Sequence, residues 1–253
     1  MIRIATWNID RAKSPAPIRK KIAMIAPDIL VLTEASNHID LGPEYGCLKS
    51  LEFERYEGHP WITIWTKWRI LKLIPTVDSF RTACCLVDSP IGPIIVYGTI
   101  IPYHMAGVSG NRYPETGKRA WQMHNEDILI QSRDWEKIRS LFPDTPMIIA
   151  GDFNQTRDGN GRGYGTLEGR RTLSLELLRN NLVCMTELDF AAIGHINQHP
   201  KTAKTRRNID HICVTTDLSS KYKIEAGAWD SFTPEGKLMS DHNGVYIDIT
   251  VLN

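Results

Sequence analysis

The chain has 253 residues, 42% of them hydrophobic, enough to enclose a sizeable core in one large domain or two small ones. Thirty basic against twenty-nine acidic side chains leave a net charge of +1, which excludes the global field of a histone-like or polyanion-coating protein, so any basic surface must be local. No stretch reaches the roughly 20 apolar residues of a membrane span, and the N-terminus runs directly into a strand without a basic leader. The cysteines, Cys47, Cys84, Cys85, Cys184 and Cys213, form no CxxC pair and read as buried thiols of a reducing compartment. The expectation is a soluble, cytoplasmic protein with no membrane partner and no obligate protein partner.

In chain order, the apolar run at 2–6 leads through Trp7 to Asn8. A helix over 15–26 carries Ile18, Ile22 and Ile25 on one face and is stopped by Pro27. The run Ile29-Leu30-Val31-Leu32-Thr33 ends at Glu34. Residues 61–65 alternate with a period of two, and with the short apolar runs at 71–74, 83–87 and 94–97 they are expected to form one antiparallel series. A long helix over 118–142 places Trp121, Ile128, Trp135 and Phe142 seven residues apart, about two helical turns each, as a core stripe. The run at 147–150 ends abruptly in Gly151-Asp152-Phe153-Asn154, a third helix is expected over 172–180, and strands follow at 209–214, 222–226 and 244–251. No linker, repeat or low-complexity run divides the chain, which reads as one domain, 1–253. Strands in meander order with helices between them point to an α/β fold of two sheets packed face to face and covered by helices.

Four distant segments, those ending at Asn8, at Glu34 and at Asp152 to Asn154 and the polar loop that reaches Asp241-His242 just before the last strand, each present an oxygen or an imidazole where a strand begins or ends, and one shared polar site is the economical explanation. Glu34, the amide oxygen of Asn8 and the carboxylate of Asp241 make an all-oxygen nest suited to a hard cation, Mg²⁺ or Mn²⁺. No HExxH motif or zinc-ligand spacing is present. Asp152 and Asn154, two apart on an extended backbone, would point the same way, one orienting a water and the other bonding a reacting oxygen. Asp210 is the carboxylate placed to orient His242 and fix its charge.

The ordered set Trp7-Asn8, Leu32-Thr33-Glu34, Gly151-Asp152-Phe153-Asn154, Ile209-Asp210-His211 and Ser240-Asp241-His242 spans almost the whole chain. It resembles the endonuclease/exonuclease/phosphatase superfamily, the group related to pancreatic deoxyribonuclease and to exonuclease III-like abasic-site enzymes. The resemblance implies a four-layered α/β sandwich, two mostly antiparallel sheets packed face to face with helices outside, and metal-dependent hydrolysis of phosphate esters. It makes Glu34 the principal metal ligand, Asn8 a positioning amide beside the metal, and Asp241 the acidic position near it. It makes Asp152 the group that orients or deprotonates the attacking water, Asn154 the holder of the scissile phosphate, and His242, oriented by Asp210, a phosphate contact.

One position departs from the family. Where members generally carry a His or Tyr that contacts the phosphate or assists the leaving group, this chain has Ile100, which cannot donate a proton. Either Tyr103 or His104, just beyond Pro102, reaches back into the site, or the proton comes from a water on the cation. Arg11, near Asn8, either clamps phosphate or serves its loop. The fold hosts nucleases, small-molecule phosphatases and lipid phosphodiesterases alike, so the substrate must be read from loops. Residues 156–171 combine five glycines with Arg157, Arg162, Arg170 and Arg171, and residues 201–207 hold Lys201, Lys204, Arg206 and Arg207. Such local basic loops fit a nucleic acid better than a lipid. A nuclease or phosphodiesterase is the leading expectation, with a phosphatase of a small phosphorylated molecule or a catalytically silent phosphate-binding module as the alternatives.

Overall fold

The central strands are apolar on both faces, so a stable fold must cover both. In the computed structural model, which describes residues 1–53, 57–109, 113, 116–157, 163–197 and 207–251, each face finds a partner. One six-stranded sheet has the order β11 (Tyr222–Trp229), β12 (Gly244–Val251), β1 (Ile2–Asn8), β2 (Ile29–Thr33), β4 (Ile62–Thr66), β3 (Gly46–Lys49). The other runs β5 (Ile70–Leu73), β6 (Thr82–Ser89), β7 (Gly92–Ile100), β8 (Met147–Asp152), β10 (Asp210–Thr215), β9 (Leu182–Cys184). Each sheet is antiparallel except for one parallel pair, β1 with β2 and β7 with β8.

Alternation along each strand sorts its side chains between two layers. Ile4, Val31 and Ile64 of the first sheet meet Cys85, Val96, Ile148 and Ile212 of the second in the central core. On the outer face of the first sheet, Trp7, Leu30 and Leu32 pack against Ile18 and Ile22 of α1 (Pro15–Ile25). On the outer face of the second, Tyr97 and Ile149 pack against Ile128 and Trp135 of α2 (Gln122–Leu141) and Leu173 of α3 (Leu167–Arg179). The result is the expected four-layered α/β sandwich.

Several expectations need correction. The runs at 61–65 and 71–74 do not continue one antiparallel series: β4 belongs to the first sheet and β5 to the second, so the chain crosses between sheets there. The short strands β3 and β9 and the short helix α4 (Thr216–Lys221) carry too little periodic sequence to be read in advance. The third helix begins five residues earlier than residue 172, at Leu167, because the Thr166 side chain accepts the Gly169 N–H and caps it. Trp121 does not join the helical stripe: it stands at the N-cap of α2 with φ 68°, while Ile128 and Trp135 are buried. Of the cysteines, Cys47 is exposed; the other four are buried, and all are free thiols.

The sandwich also brings the functional strand ends together. Parallel β1 and β2 end side by side, antiparallel β12 begins there, and in the second sheet Asp152 closes β8 opposite Asp210, which opens β10. β1 packs against both β8 and β10. Gly151, φ 151°, permits this approach: a Cβ there would lie 1.8 Å from the Thr99 carbonyl oxygen on the neighbouring strand. Backbone cannot yield as a flexible side chain does. Gly151→Ala is therefore expected to cost about 3 kcal/mol or more of stability in urea denaturation, and to displace Asp152 with it; a variant as stable as wild type would show that β7 and β8 do not approach this closely.

Candidate active site

Asn8 joins the two sheets. Its backbone N–H donates to Asp210 Oδ1 at 3.0 Å, and its side-chain Nδ2 donates to Glu34 Oε1 at 3.2 Å and to Asp152 Oδ2 at 3.0 Å. The amide orientation is fixed because Asn8 Oδ1 accepts the Asp10 N–H at 3.0 Å. The oxygen thus accepts one backbone N–H, and the amide reaches two carboxylates through its nitrogen. Local backbone contributes: Asp10, Arg11 and Ala12 have φ of 44°, 59° and 51°, and Glu34 has 42°. Left-handed backbone at non-glycine residues costs on the order of 1–3 kcal/mol each and concentrates at functional sites. The Arg11 N–H bond to the Glu34 carbonyl, 2.7 Å, ties the two turns together.

Asp152 and Asn154 meet by a turn rather than by strand alternation. Asn154 has φ 49°, and its N–H donates to Asp152 Oδ1 at 2.8 Å. Its Nδ2 donates to Asp152 Oδ2 and to the Ile101 carbonyl, both at 2.9 Å. Both amide hydrogens are spent, so the side chain expected to hold phosphate here holds Asp152.

His242 Nδ1 lies 2.6 Å from Asp210 Oδ2, which leaves Nε2 for the cavity, 3.9 Å from Asp241 Oδ1. Two residues quoted only as parts of motifs lock this histidine: Trp7 Nε1 donates to the His242 carbonyl at 2.9 Å, and Ser240 Oγ accepts the His242 N–H at 3.1 Å while donating to the Asn8 carbonyl. His211, one residue beyond Asp210, points to the other face of the strand and bonds Thr186 and the Gln155 carbonyl, a structural role. Burial alone would depress the His242 pKa, but the carboxylates of Asp210, Asp152 and Asp241 outweigh it and raise the value to about 10. Burial, with Asp210 adding to it, pushes the Asp152 carboxyl up to about 7 against the opposing pull of His242.

These groups line a cavity of about 410 Å³ together with Glu34, Asp241, Arg207 and an aromatic wall of Trp61, Tyr103, Tyr113 and Tyr164. Arg11 approaches from the side, its Nε 3.8 Å from Glu34 Oε2 and its guanidinium 5.6 Å from the Trp61 ring. Tyr103 reaches the cavity; His104 is not in its lining, and its Nδ1 pairs with Tyr164 Oη at 2.8 Å. Part of the expected basic surface is paired within the protein: the Arg157 side chain is 8% exposed and bonds Glu187 and Ser174, and half-buried Arg170 bonds the Gly165 carbonyl. Lys201, Lys204 and Arg206 lie outside the described residues.

Residues 5–242 match the model of the Endonuclease/Exonuclease/phosphatase family. The chain belongs to that family. No curated protein matches it in sequence. Among solved structures, it is similar to the endonuclease domain of TRAS1, a telomere-specific non-LTR retrotransposon, with TM-score 0.67 and 13% identity over 100% of both chains. It is also similar to the 3'-5' exonuclease NExo from Neisseria meningitidis, with TM-score 0.68 and 18% identity over 98% of this chain and 100% of that one. At such identities the likeness is one of fold, and the family's four-layered architecture is the one built here.

The opposed shifts of His242 and Asp152 can be measured without turnover. The His242 ring is expected to stay protonated in the folded protein until about pH 10 in a ¹⁵N NMR titration. Its contribution to stability is fully present below the ordinary histidine pKa of about 6.5 and lost as pH rises through about 10. With Asp210→Asn the largest raising influence is gone and the value should fall; an unchanged titration would separate the pair.

Proposed function

We propose that this protein is a divalent-cation-dependent phosphodiesterase whose substrate is a nucleic acid. The observation that carries the reading is the convergence of Glu34, Asp152, Asp210, Asp241 and His242 on one cavity, ordered by Asn8. The family match across residues 5–242 supports treating 1–253 as one catalytic unit.

Four carboxylates line the cavity against the side chains of Arg207 and His242. That excess of anionic oxygen fits a hard cation such as Mg²⁺ or Mn²⁺, which would supply positive charge against the phosphoryl oxygens. Glu34 and Asp241 would hold it, with Asn8 fixing Glu34. The cluster of Asp152, Asp210 and His242, close enough to share an ion, is a poorer cage, because the 2.6 Å bond between His242 Nδ1 and Asp210 already joins two of its members.

The remaining steps belong to the chain itself. Asp152, ionisable near neutrality, takes a proton from the water whose oxygen attacks phosphorus in line, and the phosphorus–oxygen bond to the leaving group breaks, its electron pair going to the departing oxygen, which takes up a proton from solvent water. Protonated His242 donates through Nε2 to a phosphoryl oxygen as its negative charge grows, held by Asp210 in the one orientation that allows it. Asn154 keeps Asp152 pointed at the water. Arg207 at the cavity and Arg11 beside Glu34 are the cations that would steer a phosphate backbone.

Glu34→Gln is expected to lower Mg²⁺-dependent hydrolysis by roughly 100-fold or more with the fold retained. Wild-type turnover and metal titration in this variant would refute the metal assignment. Asp210→Asn and His242→Ala should each slow turnover by orders of magnitude and be non-additive together, since one acts through the other; multiplicative losses would mean independent roles. Assayed with Mg²⁺ and with chelator on single- and double-stranded DNA, RNA, abasic duplex and inositol phosphates, the protein should cleave nucleic acid. Hydrolysis of the inositol phosphates alone would replace this reading with that of a small-molecule phosphatase.

A further inference from the structure

On the aromatic wall of the cavity, the Tyr113 hydroxyl has no hydrogen-bond partner. Tyr113 is only 6% exposed, and its hydroxyl is shut off from bulk water yet makes no hydrogen bond. A buried hydroxyl left unpaired costs about as much as a lost hydrogen bond, so native structures carry few of them and each calls for a reason. Tyr113 is not loosely held. Its ring lies 5.4 Å from Trp61 and 5.6 Å from Tyr103, and the Arg81 guanidinium sits 5.8 Å from its centroid. Arg81 is itself clamped by Asp78 at 2.5 Å and Asp127 at 3.0 Å. The residue thus stands in a built position while its polar end is unsatisfied.

The surroundings identify what would satisfy it. Tyr113 lines the cavity with Glu34, Asp152 and His242. Ile100, on the same lining, is an alkyl side chain and has no hydrogen to give. Burial, followed by the carboxylates of Asp127, Glu34 and Asp152 against the pull of Arg81, raises the phenol pKa well above its usual value. The proton therefore stays on oxygen, which makes Tyr113 a donor of a hydrogen bond rather than an acid.

Resting on the phosphodiesterase reading above, we propose that Tyr113 Oη donates a hydrogen bond to a phosphoryl oxygen of the bound substrate, from the cavity wall that Ile100 leaves without a donor. The substrate oxygen completes a hydroxyl that the free protein leaves unpaired, and because that hydroxyl is closed to water in the free protein, the wall must give locally to admit it. Because the proton is not transferred, the contribution is to binding and to charge stabilisation on the phosphoryl group.

The test is Tyr113→Phe, which keeps the ring and its stacking. Three quantities are compared with wild type in Mg²⁺: melting temperature, affinity for inorganic phosphate by calorimetric titration, and kcat/KM on bis-p-nitrophenyl phosphate and on an oligonucleotide. Expected are a melting temperature equal to or above wild type, phosphate affinity weakened about tenfold, and kcat/KM lowered about tenfold or more on both substrates alike. A lowered melting temperature with unchanged phosphate affinity would show that the hydroxyl serves the fold, and would overturn the proposal. Loss confined to the poorer leaving group would overturn it too, since that is the mark of proton transfer. Should wild type hydrolyse neither diester while phosphate affinity still depends on the hydroxyl, the phosphodiesterase reading fails and the Tyr113 contact stands. If wild type binds no phosphate, the contact itself is refuted.

Discussion

The Asn8 side chain reaches from one sheet to the other, and the candidate site depends on that bridge. One amide nitrogen bonds a carboxylate following β2 and another closing β8, while the backbone N–H of the same residue bonds the carboxylate that opens β10. Hydrogen bonds to charged acceptors are about twice as strong as neutral ones, but they form here only because apolar packing between the sheets sets the spacing first. Ile4 of β1 and Ile148 and Ile212 of the second sheet lie in the same central core, a few residues from the polar edge. The rigidity of that core holds three carboxylates at fixed separations, where in water they would repel and drift apart.

Concentrating anionic groups in this way moves protons. Asp152 is buried beside Asp210 and resists ionisation, whereas His242 is held charged by the same neighbours. One environment therefore raises a carboxyl to near neutrality and an imidazolium well above it, opposite outcomes for protonation that neither residue type shows by itself. Asp210 separates the two roles geometrically: one oxygen takes the Asn8 backbone N–H and the other takes His242 Nδ1. Left-handed turns at residues 10–12, at Glu34 and at Asn154 surround this centre. Their conformational cost is borne by the sandwich around them, which is why such backbone collects where strands end rather than within them.

The division between wall and floor of the cavity bears on substrate choice. Carboxylates and His242 form the charged part of the lining, while Trp61, Tyr103, Tyr113 and Tyr164 come from segments outside the strands and form its aromatic part. A fold shared by enzymes of many substrates varies most in such segments. Arg157 shows how misleading composition alone can be there: in sequence it reads as part of a basic loop, but its side chain is largely covered and its charge is paired with Glu187.

What the sequence determined by itself were the features that local periodicity and end signals encode. Runs such as 29–33 and 147–150, apolar on both faces, could only be internal strands, and Pro27 could only end the helix before it. The polar residues at those strand ends, Asn8, Glu34, Asp152, Asp210 and His242, were legible as one site because each interrupts an apolar run at its boundary. Tertiary structure decided the rest. A period of two fixes which side chains share a face but not which of two sheets a strand enters, so β4 and β5, adjacent in sequence, were separable only by their long-range pairing. The turn that aims Asn154 at Asp152, the indole of Trp7 on the His242 carbonyl, and the unpaired hydroxyl of Tyr113 within the cavity each join residues through packing that no local pattern carries.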